Sequence, residues 1–376
     1  MYKPASNGVV NVVLGLKNEL NRMGNDARVL SPSPSNDSYR DGDEYYIKSH
    51  RVIVYPDARL SAVRHDPLLD ELRDWAPDIM HLHTEFSTAR MARSIGSPTD
   101  APFVMTVHTD YATFLFGKHG SATPVRAVQT AWSAVAFKGA RAIIAPSEKA
   151  AEQARSYAVD CPVVVIPNGI NLSLYQQRLS GDERARLLAE LGLRDNHQVL
   201  VSVSRVSREK RVKDLISYFP AVREANPEAQ LLIVGDGPAL EKLKAYASEL
   251  GVDDAVRFSG GIPIDEVWAY YALGDVFVSS SDFEMHSMAY LEAMARGLPL
   301  VCRDDLCLKG VLEEGVNGHA FTTEEEYVEH TTRLLRDEEL RARMSAASLE
   351  RAAQFTDEAN AKRTLELYRQ VLEGEI

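Results

Sequence analysis

Two carboxylates, Glu284 and Glu292, stand eight residues apart in the stretch Ser279-Ser280-Ser281-Asp282-Phe283-Glu284-Met285-His286-Ser287-Met288-Ala289-Tyr290-Leu291-Glu292. An apolar, strand-like run ends at Val278, and Glu284 falls in the polar loop that follows. A helix beginning near Ser287 then carries Glu292 until Gly297 and Pro299 stop it. The first amides of that helix, from Ser287 and Met288 onward, have no partner within the helix and suit an anion such as a diphosphate. The spacing alone also fits two solvated helix charges. The strand before the pair and the otherwise apolar helix argue for a site.

Three further stretches have chemical character. Arg205-Val206-Ser207-Arg208-Glu209-Lys210-Arg211 follows the run Val199–Val203, and five cations fall within Arg205–Lys213. At the carboxyl end of a strand, Arg205 and Lys210 suit phosphate. Gly235-Asp236-Gly237-Pro238 lies between a strand and a helix, where Gly235 and Gly237 fit either a tight turn or a ligand loop. His108, in Thr106-Val107-His108-Thr109-Asp110-Tyr111, ends another strand and can hydrogen-bond a polar substrate. Near the start, Asn7-Gly8-Val9 opens a helix at which Gly8 permits close backbone approach.

Two other patterns imply less. Asp41-Gly42-Asp43-Glu44 has the Asp-x-Asp form of a metal-dependent sugar-transfer site, but reads as a polar surface loop between Ser31 and Tyr46 with no buried strand before it. His81 and His83 share one face of a strand, as zinc ligands would, without a third ligand at suitable spacing.

The elements that must hold these residues alternate. Short apolar runs at Ile79–His83, Phe103–His108, Ala142–Ala145, Val163–Ile166, Val199–Val203, Gln230–Val234, Val256–Phe258, Val276–Val278 and Leu300–Cys302 read as strands buried on both faces. Helical spacing separates them, as in Ala239–Leu250, where Leu240, Leu243, Ala247 and Leu250 share one face. The alternation implies parallel sheets, hence α/β doubly wound domains, whose ligands bind beyond the carboxyl ends of the strands. A break at Pro167–Tyr175 divides residues 1–170 from 171–355, and residues 356–376 form a last helix with Ala361, Leu365, Tyr368 and Leu372 as its apolar stripe. The expectation is two similar domains facing across a cleft, the last helix returning to the first domain.

Length and charge agree with that division. The 376 residues suffice for about two domains. A net charge of −12 is too acidic for a protein whose main work is wrapping nucleic acid. Residues 1–170 are net neutral and residues 171–376 hold the whole −12, so only the first half suits an anionic membrane surface. Cys161, Cys302 and Cys307 form no disulfide framework and point to a reducing compartment. No apolar run reaches the ~18 residues of a membrane span, and no signal peptide is legible, so the expected location is cytoplasmic with at most peripheral membrane contact.

In combination these motifs resemble the retaining glycosyltransferases of family 4, with the GT-B fold of two facing Rossmann-like domains. The resemblance runs from Pro4-Ala5-Ser6-Asn7-Gly8-Val9 through Ala145-Pro146-Ser147-Glu148, Ile166-Pro167-Asn168-Gly169-Ile170, Arg205 with Glu209-Lys210, Gly235-Asp236-Gly237-Pro238 and the Glu284/Glu292 pair to Glu314-Gly315-Val316-Asn317-Gly318. It implies that Arg205 and Lys210 bind the diphosphate of a nucleotide-sugar donor, Glu284 the sugar hydroxyls and Glu292 the ribose. Gly8 would approach the phosphates and His108 the sugar. It also implies no cofactor and no bound metal, and front-face transfer with retention in which the leaving diphosphate serves as base.

Within the family, His81-Leu82-His83-Thr84-Glu85-Phe86-Ser87 with His108-Thr109-Asp110-Tyr111 looks most like bacterial diacylglycerol glucosyltransferases. That implies UDP-glucose as donor and a lipid acceptor, with residues 111–138, rich in aromatics and cations, meeting an anionic membrane. A soluble or polysaccharide-precursor acceptor is the alternative within the family, and a non-catalytic nucleotide-sugar-binding partner protein the alternative outside it. Two departures stand out. Ser287 lies where the family usually has glycine nearby, and only Met1-Tyr2-Lys3 precedes Pro4, so the first N-terminal strand is expected to be missing and to be encoded upstream in frame.

Overall fold

The computed structural model describes residues 8–52, 55–63, 65–110, 123–157, 159–195 and 197–376. The chain divides into two units, Met1–Ile170 with Asp357–Ile376, and Asn171–Thr356.

In the first unit, four short strands lie parallel in chain order: β6 (Met80–Leu82), β7 (Phe103–Thr106), β8 (Ala142–Ala145) and β9 (Val163–Val165). β7 and β8 are wholly buried, which is why their sequences run apolar without alternation. Leu16 and Leu20 of the helix Gly8–Arg22 and Ala361, Leu367, Tyr368 and Val371 of the final helix Asp357–Glu373 close over Val104, Ala142 and Ile144. The two helices meet so closely that a Cβ on Gly15 would run into Asp357. The stripe of the final helix is rotated from the expected one: Thr364, Leu367 and Val371 are buried and Leu372 is exposed.

Before that sheet lie β1 (Val29–Pro32), β2 (Tyr39–Asp41) and β3 (Glu44–Ile47) in the order β1-β3-β2, and a hairpin of β4 (His50–Val52) and β5 (Tyr55–Leu60). This corrects the reading of residues 41–44 as a loop. Asp41 pairs with Glu44 across a two-residue turn, with Gly42 at φ +57 as such hairpins require. Asp43 and Glu44 accept from Lys17 Nζ at 2.7 and 3.2 Å, and Asp43 also from Asn21, so this Asp-x-Asp pattern ties hairpin to helix. Residues 1–7, on which the expectation about the first strand rests, lie outside the described residues.

The second unit is one parallel sheet of β10 (Gln198–Val203), β11 (Ala229–Val234), β12 (Val256–Gly260), β13 (Val276–Ser279), β14 (Leu300–Arg303) and β15 (Gly318–Phe321), in the order β12-β11-β10-β13-β14-β15. That is the doubly wound 3-2-1-4-5-6 arrangement, and its strand order reverses between β10 and β13. Loops leaving those two neighbours diverge to opposite sides and open the crevice in which such folds bind ligands.

Candidate active site

The cationic stretch and the first glutamate converge at that crevice. After β10 the chain passes Arg205, which is exposed, and makes a single 3₁₀ turn, Arg208–Lys210. The loop after β13 brings Glu284 beside it, and Lys210 Nζ donates to Glu284 Oε1 at 2.7 Å. The two side chains are 21% and 12% exposed, so the pair is largely screened from water but open at one side.

Arg211, which the sequence reading did not single out, holds the two loops in register. Its backbone is left-handed, at φ +51, and its carbonyl accepts from Ser280 Oγ at 2.6 Å. Its guanidinium bridges Asp214 at 2.6 Å and Asp282 at 2.8 Å. A positive φ outside glycine is costly and persists where surrounding contacts over-determine it. Here a hydrogen bond and two ion pairs supply them.

The glycines of Gly235-Asp236-Gly237 face the same loop. Gly235 has φ +133, and a Cβ there would strike the Ser204 carbonyl oxygen, while one on Gly237 would strike that of Val206. Val206 N–H also donates to the Asp236 carbonyl at 2.9 Å. The glycines therefore let the loop after β11 lie flat against the Arg205 loop.

The helix Met288–Arg296 begins at Ser287, whose side chain makes no cap, and ends at Gly297 in the left-handed conformation. The amides near Met288 are thus without a side-chain cap from Ser287. Glu292 is no solvated helix charge: it is buried, and Tyr271 donates its hydroxyl to Oε2 at 2.6 Å. Burial raises its pKa, and the hydrogen bonds from Tyr271 and Tyr175 oppose that rise. Neither tyrosine has a signature in the local sequence of Glu292. His286, two residues past Glu284, is buried, with its Nδ1 lacking a hydrogen-bond partner, and burial lowers its pKa to about 4.

In the first unit, His108 follows β7 and its Nε2 lies 3.0 Å from His83 Nδ1. His83 stacks on His81 at 4.0 Å between ring centres. Both nitrogens of His81 are occupied, Nδ1 by the Tyr368 hydroxyl and Nε2 by Thr106 Oγ1, each at 2.6 Å. Burial lowers the pKa of His81 to about 3 and of His108 to about 4, and pushes that of His83 well down. At neutral pH His108 is therefore an uncharged hydrogen-bonding group. Gly8 is the first residue of the helix Gly8–Arg22 and is half-buried.

Two Rossmann-like units, one with a cation and a carboxylate at its switch point, define the GT-B class of sugar-transferring enzymes. Residues 6–174 match the family "Glycosyltransferase Family 4", and residues 183–351 match "Glycosyl transferases group 1". The chain belongs to these glycosyltransferases, enzymes that use a nucleotide-sugar donor. It is 27% identical over 379 residues to alpha-monoglucosyldiacylglycerol synthase of Acholeplasma laidlawii, covering 98% of this chain and 94% of that one. It is 27% identical over 323 residues to the enzyme of the same name from Streptococcus pneumoniae, covering 85% and 73%. Among solved structures, Anabaena HepE in complex with UDP-glucose superposes with a TM-score of 0.73 at 19% identity over 98% of both chains.

Proposed function

We propose that the chain transfers glucose from UDP-glucose to a hydroxyl of diacylglycerol with retention of configuration. The observation that carries this reading is the Lys210–Glu284 pair at the switch point of the second unit. A bound diphosphate draws Lys210 to itself, together with Arg205 and the amides at Ser287 and Met288. Glu284, released from its cation, then accepts hydrogen bonds from the sugar hydroxyls, and Glu292 takes the ribose. The cations offset charge developing on the departing diphosphate, where a fixed donor is most effective. His108, neutral, donates to or accepts from the sugar, and the leaving diphosphate takes the acceptor's proton. No cofactor or metal enters this scheme.

The names of the Acholeplasma and pneumococcal relatives support glucose and diacylglycerol. A surface in the first unit supports a lipid acceptor. The helix Thr123–Phe137 exposes Ala127, Val128, Ala131, Trp132 and Val135, with Val128 and Val135 72% and 69% exposed. Phe86 lies 5.2 Å from Trp132 between ring centres. Such a stripe suits the boundary of a bilayer at the inner face of the cell membrane. Of the stretch 111–138, residues 111–122 lie outside the described residues. No described helix is long and apolar enough to cross a membrane.

The test is conversion of UDP-glucose and diacylglycerol in vesicles with 30% anionic lipid, reading UDP release, glycolipid mass and anomeric configuration. An α-linked glucosyl lipid is expected, with product formation and vesicle binding both reduced in Val128→Glu/Val135→Glu. Release of UDP only with soluble acceptors overturns the lipid assignment, and a glucosyl adduct trapped on Glu284 overturns the front-face mechanism.

A further inference from the structure

Three metal-type side chains gather in the second unit, at residues the reaction scheme does not use. Glu314 precedes β15 and forms an isolated bridge with Gly318, His319 lies on β15, and His330 lies on the helix Glu324–Arg336 that follows. One donor atom from each lies within 4.8 Å of those of the other two. Among the described residues this is the one such group of three.

The hydrogen bonds specify what each side chain has left to offer. Glu314 Oε2 accepts from the Ala320 amide at 2.8 Å, and Oε1 lies 2.5 Å from His319 Nδ1. A carboxylate only accepts, so His319 Nδ1 carries a proton, and in the neutral imidazole the lone pair is then on Nε2. The His319 side chain is 8% exposed, and Nε2 has no hydrogen-bond partner among the described residues. A buried lone pair left unmatched is unfavourable. His330 stacks on the same ring at 4.3 Å between centres, with 7° between planes. Burial and the neighbouring His319 lower the pKa of His330, with Glu314, Glu329 and Glu326 opposing that shift, so the ring is held neutral with a lone pair to offer.

We infer that Glu314, His319 and His330 form a binding site for one divalent transition-metal ion of the zinc class. His319 and His330 supply nitrogen ligands once the His330 ring turns out of its stack on His319, which brings the two in-plane lone pairs onto one ion. Glu314 holds His319 in its tautomer and balances the ion's charge. Imidazole nitrogens select borderline ions over magnesium or calcium. A histidine that donates its other N–H to a carboxylate is the usual arrangement behind such an ion. Solvent completes the coordination. The bound ion ties β15, the edge strand of the sheet, to the helix after it, a structural role independent of the sugar-transfer reaction.

The test uses the full chain stripped with EDTA and titrated with Zn²⁺ against a chromogenic chelator, then with Co²⁺ for its visible absorption. One ion per chain is expected, with a melting temperature raised by Zn²⁺. His330→Ala, at a half-buried position, loses the site, and Glu314→Gln, at an exposed one, weakens it by roughly 10–100-fold. UDP binding is expected unchanged in both variants, which separates this site from the donor site. Zn²⁺ stoichiometry and melting shift equal in wild type and His330→Ala overturn the inference. So does the absence of binding at a tenfold excess of Zn²⁺ over protein.

Discussion

Replacing either member of the Lys210–Glu284 pair breaks the same 2.7 Å hydrogen bond, yet the two substitutions act on the donor in opposite ways. Lys210→Ala removes a cation that would bind phosphate. A hydrogen bond to a charged group is worth about 1.5–3 kcal/mol, and about 1.4 kcal/mol is tenfold in affinity, so UDP should bind roughly 10–100-fold more weakly. It also leaves Glu284, 12% exposed, without its cation beside the incoming diphosphate. Glu284→Gln keeps the shape but removes the carboxylate that competes for Lys210. UDP affinity should then stay within about threefold of wild type or tighten, because the ~0–1 kcal/mol of a partly exposed pair no longer opposes binding.

Sugar transfer should fall in both variants, by at least about tenfold in kcat/KM, since each removes a charged hydrogen bond to the donor. Calorimetric titration with UDP, which lacks the sugar, isolates the phosphate side, and UDP release from UDP-glucose reads the whole reaction. Thermal melts serve as the control, because loss of about 1 kcal/mol shifts a domain of this size by roughly 2–4 °C. Equal weakening of UDP binding by both substitutions would refute the division of labour. Unchanged UDP binding in Lys210→Ala would show that the lysine serves only its glutamate.

Tyr271→Phe deletes the hydroxyl that donates to Glu292 at 2.6 Å in a buried setting, and should cost about 1–3 kcal/mol of stability in the second unit. A melting temperature within 1 °C of wild type would count against that hydrogen bond. Stability should also fall between pH 7 and 5. His81, His108 and His286 titrate near 3, 4 and 4 when folded but near 6.5 when unfolded, and His83 shifts the same way. As pH drops through 6.5 the unfolded chain takes up protons that the folded chain refuses, at about 1.4 kcal/mol per unit for each histidine. Asp357, raised to about 6 by burial, acts in the opposite sense and offsets about one histidine. Chemical denaturation at pH 7, 6 and 5 checks this, and a midpoint that holds constant would exclude neutral buried histidines.

Strands with dense apolar runs were legible to within a residue or two: Ala142–Ala145 is a strand with those bounds, and Val276–Val278 extends only to Ser279. The helix end at Gly297 was legible too, because a left-handed C-cap needs glycine. β2 was not, since Tyr39–Asp41 is exposed throughout and gains its pairing only from β3. Nor was β15, where Gly-His-Ala-Phe has no β-branched residue and becomes a strand by pairing with β14. The hairpin had a signal in the Asp41-Gly42 step, but Lys17, the partner of Asp43 and Glu44, is distant in sequence.

Sequence alone determined the alternation of strand and helix, the placement of Lys210 and Glu284 after strands, and the family to which they point. These follow from local periodicity and from residue types that only certain chemistry requires. Which charges meet was decided by the tertiary structure. Lys210 and Glu284 are 74 residues apart, and they pair because the strand order reverses between β10 and β13. Glu292 is buried against Tyr271, and His319 against His330, through contacts between elements that no local pattern encodes. Burial and pairing set a group's protonation and reach, and both are properties of the packed chain.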